Sequence, residues 1–359
     1  MLTAEAVIDL QALQHNYQVL KRLCPKQQLV AVIKGDAYGH GSVNVAKALP
    51  SADMFAVARI EEALELRAAG IITPILLLEG CFCSEDLMLA AEHQFHTVIH
   101  SDFQLQQFTA AHLLRPLHVW VKLDTGMHRV GIERPQFNDF VQQLQGCVNL
   151  AGELGFISHL SCADDLDSAT TRQQIALFED LTKDYSGPKT LANSAGALYW
   201  PDAQYDYVRA GISLYGIAPN EQQIGQQHQL KPVMSLKSKL ISVRHHRKGE
   251  PIGYGEIWRA TEDTLIGVVA MGYGDGYPRS APAGTPVYIN GRIVPIVGRV
   301  SMDMLTVDLG ADAGDQVGDS VEFWGRQLPI ETVAQAIDTI PYELCIKLTK
   351  RVVKSKAFT

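Results

Sequence analysis

Along the first 215 residues, short apolar runs alternate with stretches whose apolar positions recur at helical spacing. The runs are 29–33, 54–57, 74–78, 97–99, 117–123, 155–160, 190–193 and 207–209, eight in all. Between them, residues 10–23 place Leu10, Leu13, Tyr17, Leu20 and Leu23 on one helical face, and 171–185 is a second such stretch. Strand alternating with helix implies a parallel sheet with right-handed crossovers, and eight repeats suggest a closed (β/α)8 barrel of the TIM type. A doubly wound open sheet is the plainer competitor. The texture changes after about Ile217. Residues 222–229 are polar and read as a linker. Beyond them, 235–243, 265–271, 286–289, 293–297, 304–309 and 321–324 are short β-type runs with Gly and Pro between. Asn290-Gly291 marks a hairpin, because that pair favours the positive φ values of a type I′ turn. Only 331–337 looks helical. The expectation is therefore an α/β chain: an N-terminal barrel over 1–225, then a mainly antiparallel β domain over 226–359.

Composition narrows the function classes. Of 359 residues, 47% are hydrophobic and 19% charged, with a formal net charge of -8. A nucleic-acid binder usually carries a basic face; the densest basic cluster here, Lys350, Arg351, Lys354 and Lys356, reads as a solvated end. No apolar stretch is long enough for a membrane span. The N-terminus lacks the basic residues of a signal peptide. Six scattered cysteines fit neither a disulfide framework nor a zinc pattern, so a reducing cytoplasm is expected and no metal.

Candidate chemistry gathers at the predicted strand ends. Lys34 directly follows the first run and precedes Gly35-Asp-Ala-Tyr38-Gly39-His-Gly41. The C-terminal strand ends of a barrel form its active-site face. A lysine desolvated there has a lowered pKa and an amine free for Schiff-base chemistry. Taken alone, a lysine snorkelling at a strand end is the commoner case; the glycines after it, which let backbone approach a ligand, shift the balance. Lys122-Leu-Asp-Thr-Gly-Met-His-Arg129 follows the fifth run, Ser158-His159 the sixth, Asn193-Ser194 the seventh and Arg209-Ala-Gly211-Ile212 the eighth. Loops after the last two strands of a barrel often bind phosphate, which suits Ser194 and the amides of Gly211 and Ile212. His159 alone would be a core histidine, and Arg209 half an ion pair; five polar clusters at strand ends resist that account. The second domain adds Gly253-Tyr254-Gly255, a Tyr273 segment and Ser301-Met302-Asp303. Tyr254 between two glycines is equally well a turn residue.

Together these segments resemble the alanine racemases, pyridoxal 5′-phosphate enzymes built on such a barrel. The likeness runs from Ala31-Val-Ile-Lys34-Gly-Asp-Ala-Tyr-Gly-His-Gly41 through Arg209-Ala-Gly-Ile-Ser-Leu-Tyr-Gly216 and Ser301-Met-Asp303 to Pro341-Tyr-Glu-Leu344. The resemblance implies the following roles. Lys34 is joined covalently to the cofactor. Tyr38, Ser194, Gly211 and Ile212 contact its phosphate, Arg209 lies beside its pyridine nitrogen, and His159 lies near the ring. Arg129 binds cofactor phenolate and substrate carboxylate. Tyr254 is the second base and the Met302 amide a carboxylate contact, both lent by the partner in a homodimer; Asp303 and Tyr273 belong to the same shell. Lys122 matches a lysine that some members carbamylate. One departure is Lys350, where many relatives have a tyrosine that reaches the phosphate.

Reprotonating a planar intermediate from the opposite face needs two acid/base groups, Lys34 on one side and Tyr254 on the other. A free phenol titrates near 10, so work at neutral pH asks for a fall of roughly 3, worth about 4 kcal/mol. Arg209, acting through His159, is the expected source of that positive potential. The expected reaction is interconversion of L- and D-alanine, a small amino acid, supplying D-alanine for peptidoglycan. Preference for serine is an alternative. So is a barrel decarboxylase of a basic amino acid, though such enzymes typically place a carboxylate where Arg209 stands. A single-barrel cofactor carrier would lack the β domain.

Overall fold

A computed structural model describes residues 4–357. They form two compact units, one of residues 16–37 and 41–214, the other of the remaining described residues.

In the first unit, eight parallel strands close into a barrel: Gln28–Val32, Met54–Val57, Ile75–Leu77, His96–Ile99, Val119–Lys122, Gly155–Ile157, Lys189–Thr190 and Tyr207–Ala210. The first pairs with the last, Gln28 opposite Tyr207 through Ala31 opposite Ala210. The strands read as continuous apolar runs because both their faces are covered: Ala31, Phe55, Leu77, Val98, Val121 and Phe156 are all buried. All eight expected runs are in the barrel, four of the strands being shorter than the apolar run. Thus Leu191 and Ala192 are buried but lie beyond the seventh strand.

The second unit is an eight-stranded sheet, antiparallel except at one edge. Its long strand Met234–His246 pairs with Ala4–Ile8, Ser320–Trp324 and Thr264–Val269. The Pro286–Ile289 and Arg292–Val297 hairpin turns through Asn290 and Gly291 at φ 44° and 87°, as the dipeptide predicts.

Four parts of this unit differ from the sequence expectation. The segment Ala4–Ile8 is a strand of this sheet, with alternating burial that five residues are too few to announce. The basic end is no mere solvated tail: Val353–Lys356 pairs in parallel with Ala4–Ile8, and Arg351 binds two carboxylates. A second helix, Pro341–Ile346, follows Ile330–Ile337. The polar stretch 222–229 is held rather than loose, because the buried Glu331 carboxylate accepts the Ala218 and Gly225 amides at 2.9 Å each. Among the described residues no helix is long and apolar enough to cross a membrane.

Candidate active site

Lys34 stands two residues beyond the first barrel strand, at its C-terminal end. The chain there enters a left-handed turn: Gly35, Asp36, Ala37 and Tyr38 have φ of 61°, 53°, 54° and 52°. Each L-residue in that region costs about 1–2 kcal/mol, strain of the kind that surrounding structure must hold in place. The lysine is open to solvent on one side. Enough protein crowds the other that desolvation, followed by the Arg129 charge, lowers its pKa.

Arg209, on the eighth strand, is 4% exposed and meets no carboxylate. Its Nη1 donates to Thr190 Oγ1 at 2.7 Å, and Nη2 donates to the Ser158 carbonyl at 2.6 Å, to the Leu191 carbonyl at 3.2 Å and to His159 Nδ1 at 3.3 Å. Burial pushes its pKa down, to about 9, so it is still the cation at neutral pH. A cation donating to Nδ1 leaves the ring proton of His159 on Nε2. Burial first, then Arg209, hold this histidine well below its usual pKa, so it is a neutral imidazole.

Lys122 ends the fifth strand, and its pKa is lowered to about 8 by desolvation and by Arg209, Arg129 and Lys34. Arg129 rides a loop closed on itself: Asp124 accepts the Gly126 and His128 amides at 3.0 Å, and Ile132 N–H reaches the Lys122 carbonyl at 2.8 Å. The mouth therefore gathers Lys34, Lys122, Arg129 and Arg209. Their fields overlap, and the carboxylates among the named influences on Lys34 and Lys122 are Glu62, Glu79 and Asp124.

Between the last two strand ends, Ser194 Oγ accepts the amides of Gly211 at 3.0 Å and Ser213 at 3.3 Å. Its own O–H is left to donate. The Ser213 hydroxyl is buried without a partner, and the Ile212 amide has none among the described residues. Gly211 thus acts on Ser194 rather than offering its amide outward. Tyr38 ends the left-handed turn. It is buried against Tyr215 and Tyr342, with ring centroids 5.0 and 5.8 Å away, and burial pushes its phenol far up, so it is a neutral donor.

In the other unit, Tyr254 is 70% exposed on a short turn, and Met302 is 52% exposed. The Tyr273 segment is zipped to the Met302 segment through Tyr273 N–H to the Ser301 carbonyl (3.0 Å) and Gly274 N–H to the Met302 carbonyl (2.8 Å). A Cβ on Gly272 would fall 2.3 Å from the Met302 oxygen, so only glycine fits there. Arg351 ties Asp275 to Asp303 at 3.0 and 2.8 Å. Lys350 is exposed.

Two positioning residues escape sequence reading. Thr190 takes an Arg209 donor. Gln174, buried in the helix Ala169–Thr182, donates to the His159 carbonyl at 2.9 Å and to Thr125 at 3.3 Å, joining two site loops. Neither carries a local signal; a buried Gln on a helix with apolar neighbours is the faintest hint. Among the described residues no group of three or more His, Cys, Asp or Glu side chains is placed to hold a metal.

A desolvated lysine, a hydroxyl and a free amide between the last two strands, an orphaned buried serine beside them, and surplus positive charge suit a phosphorylated aldehyde with an acidic phenol. Fold and site define a pyridoxal-phosphate-dependent enzyme of the barrel class. Residues 8–219 match the alanine racemase N-terminal domain and 233–356 its C-terminal domain. The chain belongs to the alanine racemase family. It is 52% identical over 347 residues to an alanine racemase of Shewanella loihica, covering 97% of each chain. It is similar to the biosynthetic alanine racemase of Pseudomonas aeruginosa at a TM-score of 0.96 and 45% identity, with 100% of both chains covered. The alanine racemase of Bartonella henselae, solved with covalently bound pyridoxal phosphate, matches at a TM-score of 0.89 and 29% identity over 99% of each chain.

Proposed function

We propose that Lys34 and Tyr254 are the two acid/base groups with which this isomerase interconverts L-alanine and D-alanine. When bound, the cofactor's conjugated ring accepts the electron pair left at Cα. Lys34 is the lysine that would hold it. Ser194, Tyr38 and the Ile212 amide would take the phosphate, with Gly211 bracing Ser194. Arg209 would face the ring nitrogen and His159 the ring. Arg129 and the Met302 amide would take the substrate carboxylate. The observation that carries this reading is Arg209: a buried guanidinium with no carboxylate partner, which disfavours protonation of the ring nitrogen and so favours brief carbanions and clean return of the proton. A decarboxylase would be served by the opposite charge there.

Tyr254 and Met302 are exposed on the β unit, which fits their loan to a second copy of the chain. We take the functional halves as 1–225, holding the cofactor, and 226–359, supplying the second base. The product serves peptidoglycan synthesis in the cytoplasm. A panel of L-amino acids assayed with added cofactor for the D-enantiomer tests the substrate. Alanine is expected to be fastest, with serine slower by up to about 10²-fold, the modest discrimination an apolar pocket achieves against an added hydroxyl. No alanine turnover would overturn the reading.

Lys122 makes a further prediction. An amine with a pKa near 8 amid three other cations is a good nucleophile toward carbon dioxide, and the resulting carbamate replaces a cation by an anion. Native mass spectrometry in isotopically labelled bicarbonate at mildly alkaline pH is expected to show one labelled adduct, lost on acidification and absent in Lys122→Met. An unlabelled chain would exclude it.

A further inference from the structure

The left-handed turn after Lys34 needs a holder, since three successive L-residues, Asp36, Ala37 and Tyr38, occupy a region that a relaxed chain leaves. Glu62 provides one. It lies in the first turn of the helix Ile60–Ala68. Its Oε1 accepts the Gly35 amide at 2.6 Å, while Oε2 accepts the Ala58 and Arg59 amides at 2.8 and 3.1 Å. One carboxylate thus satisfies three backbone donors and ties the start of a helix to the residue next to Lys34. Such charge-assisted hydrogen bonds are about twice as strong as neutral ones. At the other end of the turn, Asp36 Oδ1 accepts the Ser42 amide at 2.8 Å.

We propose that Glu62 is the positioning residue of Lys34: by gripping the Gly35 amide it sets the direction in which the lysine leaves the barrel rim, and its charge faces the lysine amine. This rests on the reading of Lys34 as the cofactor lysine. The charged groups that face that amine are Glu62 from its helix, Glu79 beyond the third strand, Arg129 from the loop after the fifth and Arg209 from the eighth. Lys122 and His159 share the same mouth. Loss of Glu62 leaves Glu79 as the sole facing carboxylate of that set. An ammonium that loses an anionic neighbour gives up its proton more readily, so Lys34 titrates at lower pH without Glu62.

The test uses full-length wild type, Glu62→Gln, Glu62→Asp, Glu62→Ala and Lys34→Ala chains, freed of cofactor and mixed with pyridoxal phosphate. Growth of the visible absorbance is followed from neutral to alkaline pH. Glutamine keeps an acceptor for Gly35, with its NH2 turned toward the Ala58 and Arg59 amides, and lacks the charge; its uptake midpoint is expected to fall by about 0.5–1 pH unit, with the maximal rate nearer wild type than that of the aspartate chain. Aspartate keeps the charge but is too short to grip; it is expected to keep the midpoint nearer wild type and lose about tenfold in rate. Alanine is expected to lose both. In racemisation of Cα-deuterated alanine, the aspartate and alanine variants are expected to raise the isotope effect for the one enantiomer whose proton Lys34 removes. Wild-type midpoints and rates in all three variants would overturn the proposal, as would equal rates for glutamine and aspartate. Should the alanine chain not fold, the glutamine and aspartate pair decides alone. A normal absorbance band in Lys34→Ala would instead defeat the cofactor-lysine reading, whatever Glu62 does.

Discussion

Lys34→Ala and Tyr254→Phe chains are each expected to lose racemisation by on the order of 10⁴-fold or more, because each removes an acid/base group from one face of the carbanion. Mixed after unfolding and refolding together, they are expected to recover activity. If sites combine Lys34 of one chain with Tyr254 of another, a random mixture is half heterodimers, each with one intact site, so recovery approaches about a quarter of wild type. The expectation stems from the exposure of Tyr254 and Met302 on the β unit. Enzymatic D-alanine assay of the mixture, with size-exclusion chromatography to show dimers, is the measurement. Dimers that stay inactive would place each site within one chain.

Arg209→Glu is expected to cost both stability and the shape of the pH profile. The substitution leaves the Ser158 and Leu191 carbonyls and Thr190 Oγ1 without their donor, and a buried acceptor left unmade costs about 1–3 kcal/mol. It also replaces the strongest charge acting on His159 by its opposite. With that cation gone, the His159 pKa rises from its depressed value. The positive potential that would favour a phenolate at Tyr254 weakens as well, so the alkaline limb of kcat/KM is expected to move to higher pH. Thermal melting and a pH–rate series on the holoenzyme check the two parts. An unmoved alkaline limb in a folded variant would show that Arg209 does not govern the second base. Absorbance of bound cofactor during turnover gives a third readout: a carboxylate beside the ring nitrogen favours longer-lived carbanion species than the arginine does.

The barrel was legible because its strands are apolar on both faces and end in glycine-rich polar clusters, so periodicity and punctuation agree. The helix read at 10–23 has those bounds in the structure. The two strands at one side of the sheet were illegible for the opposite reason. The strand Ala4–Ile8 carries a glutamate, and its outer neighbour Val353–Lys356 carries two lysines, as edge strands do to avoid pairing with other molecules; polarity of that kind hides a strand in a sequence. Lys34, Lys122, Arg129, His159, Ser194 and Arg209 stand out in the sequence as candidates because each lies at, or in the loop after, a barrel strand beside its own local cue. Glu62, Thr190 and Gln174 do not. They act on residues 27, 19 and 15 positions away, through backbone atoms and hydroxyls that only the closed fold brings within reach.

The parallel pairing of Ala4–Ile8 with Val353–Lys356 also bears on how the molecule is made. Glu5 meets Val353 and Ala4 meets Ser238, so the opening strand finds neither neighbour until the ribosome has moved far downstream. Apart from the closing pair of the first strand with the eighth, barrel strands have partners within a few dozen residues and can zip as they emerge. The strand Ala4–Ile8 must wait, unpaired, until its first neighbour, Met234–His246, has been made. Its short length and its glutamate then keep a temporarily unpaired strand from being captured by a neighbouring chain before its own partner is translated.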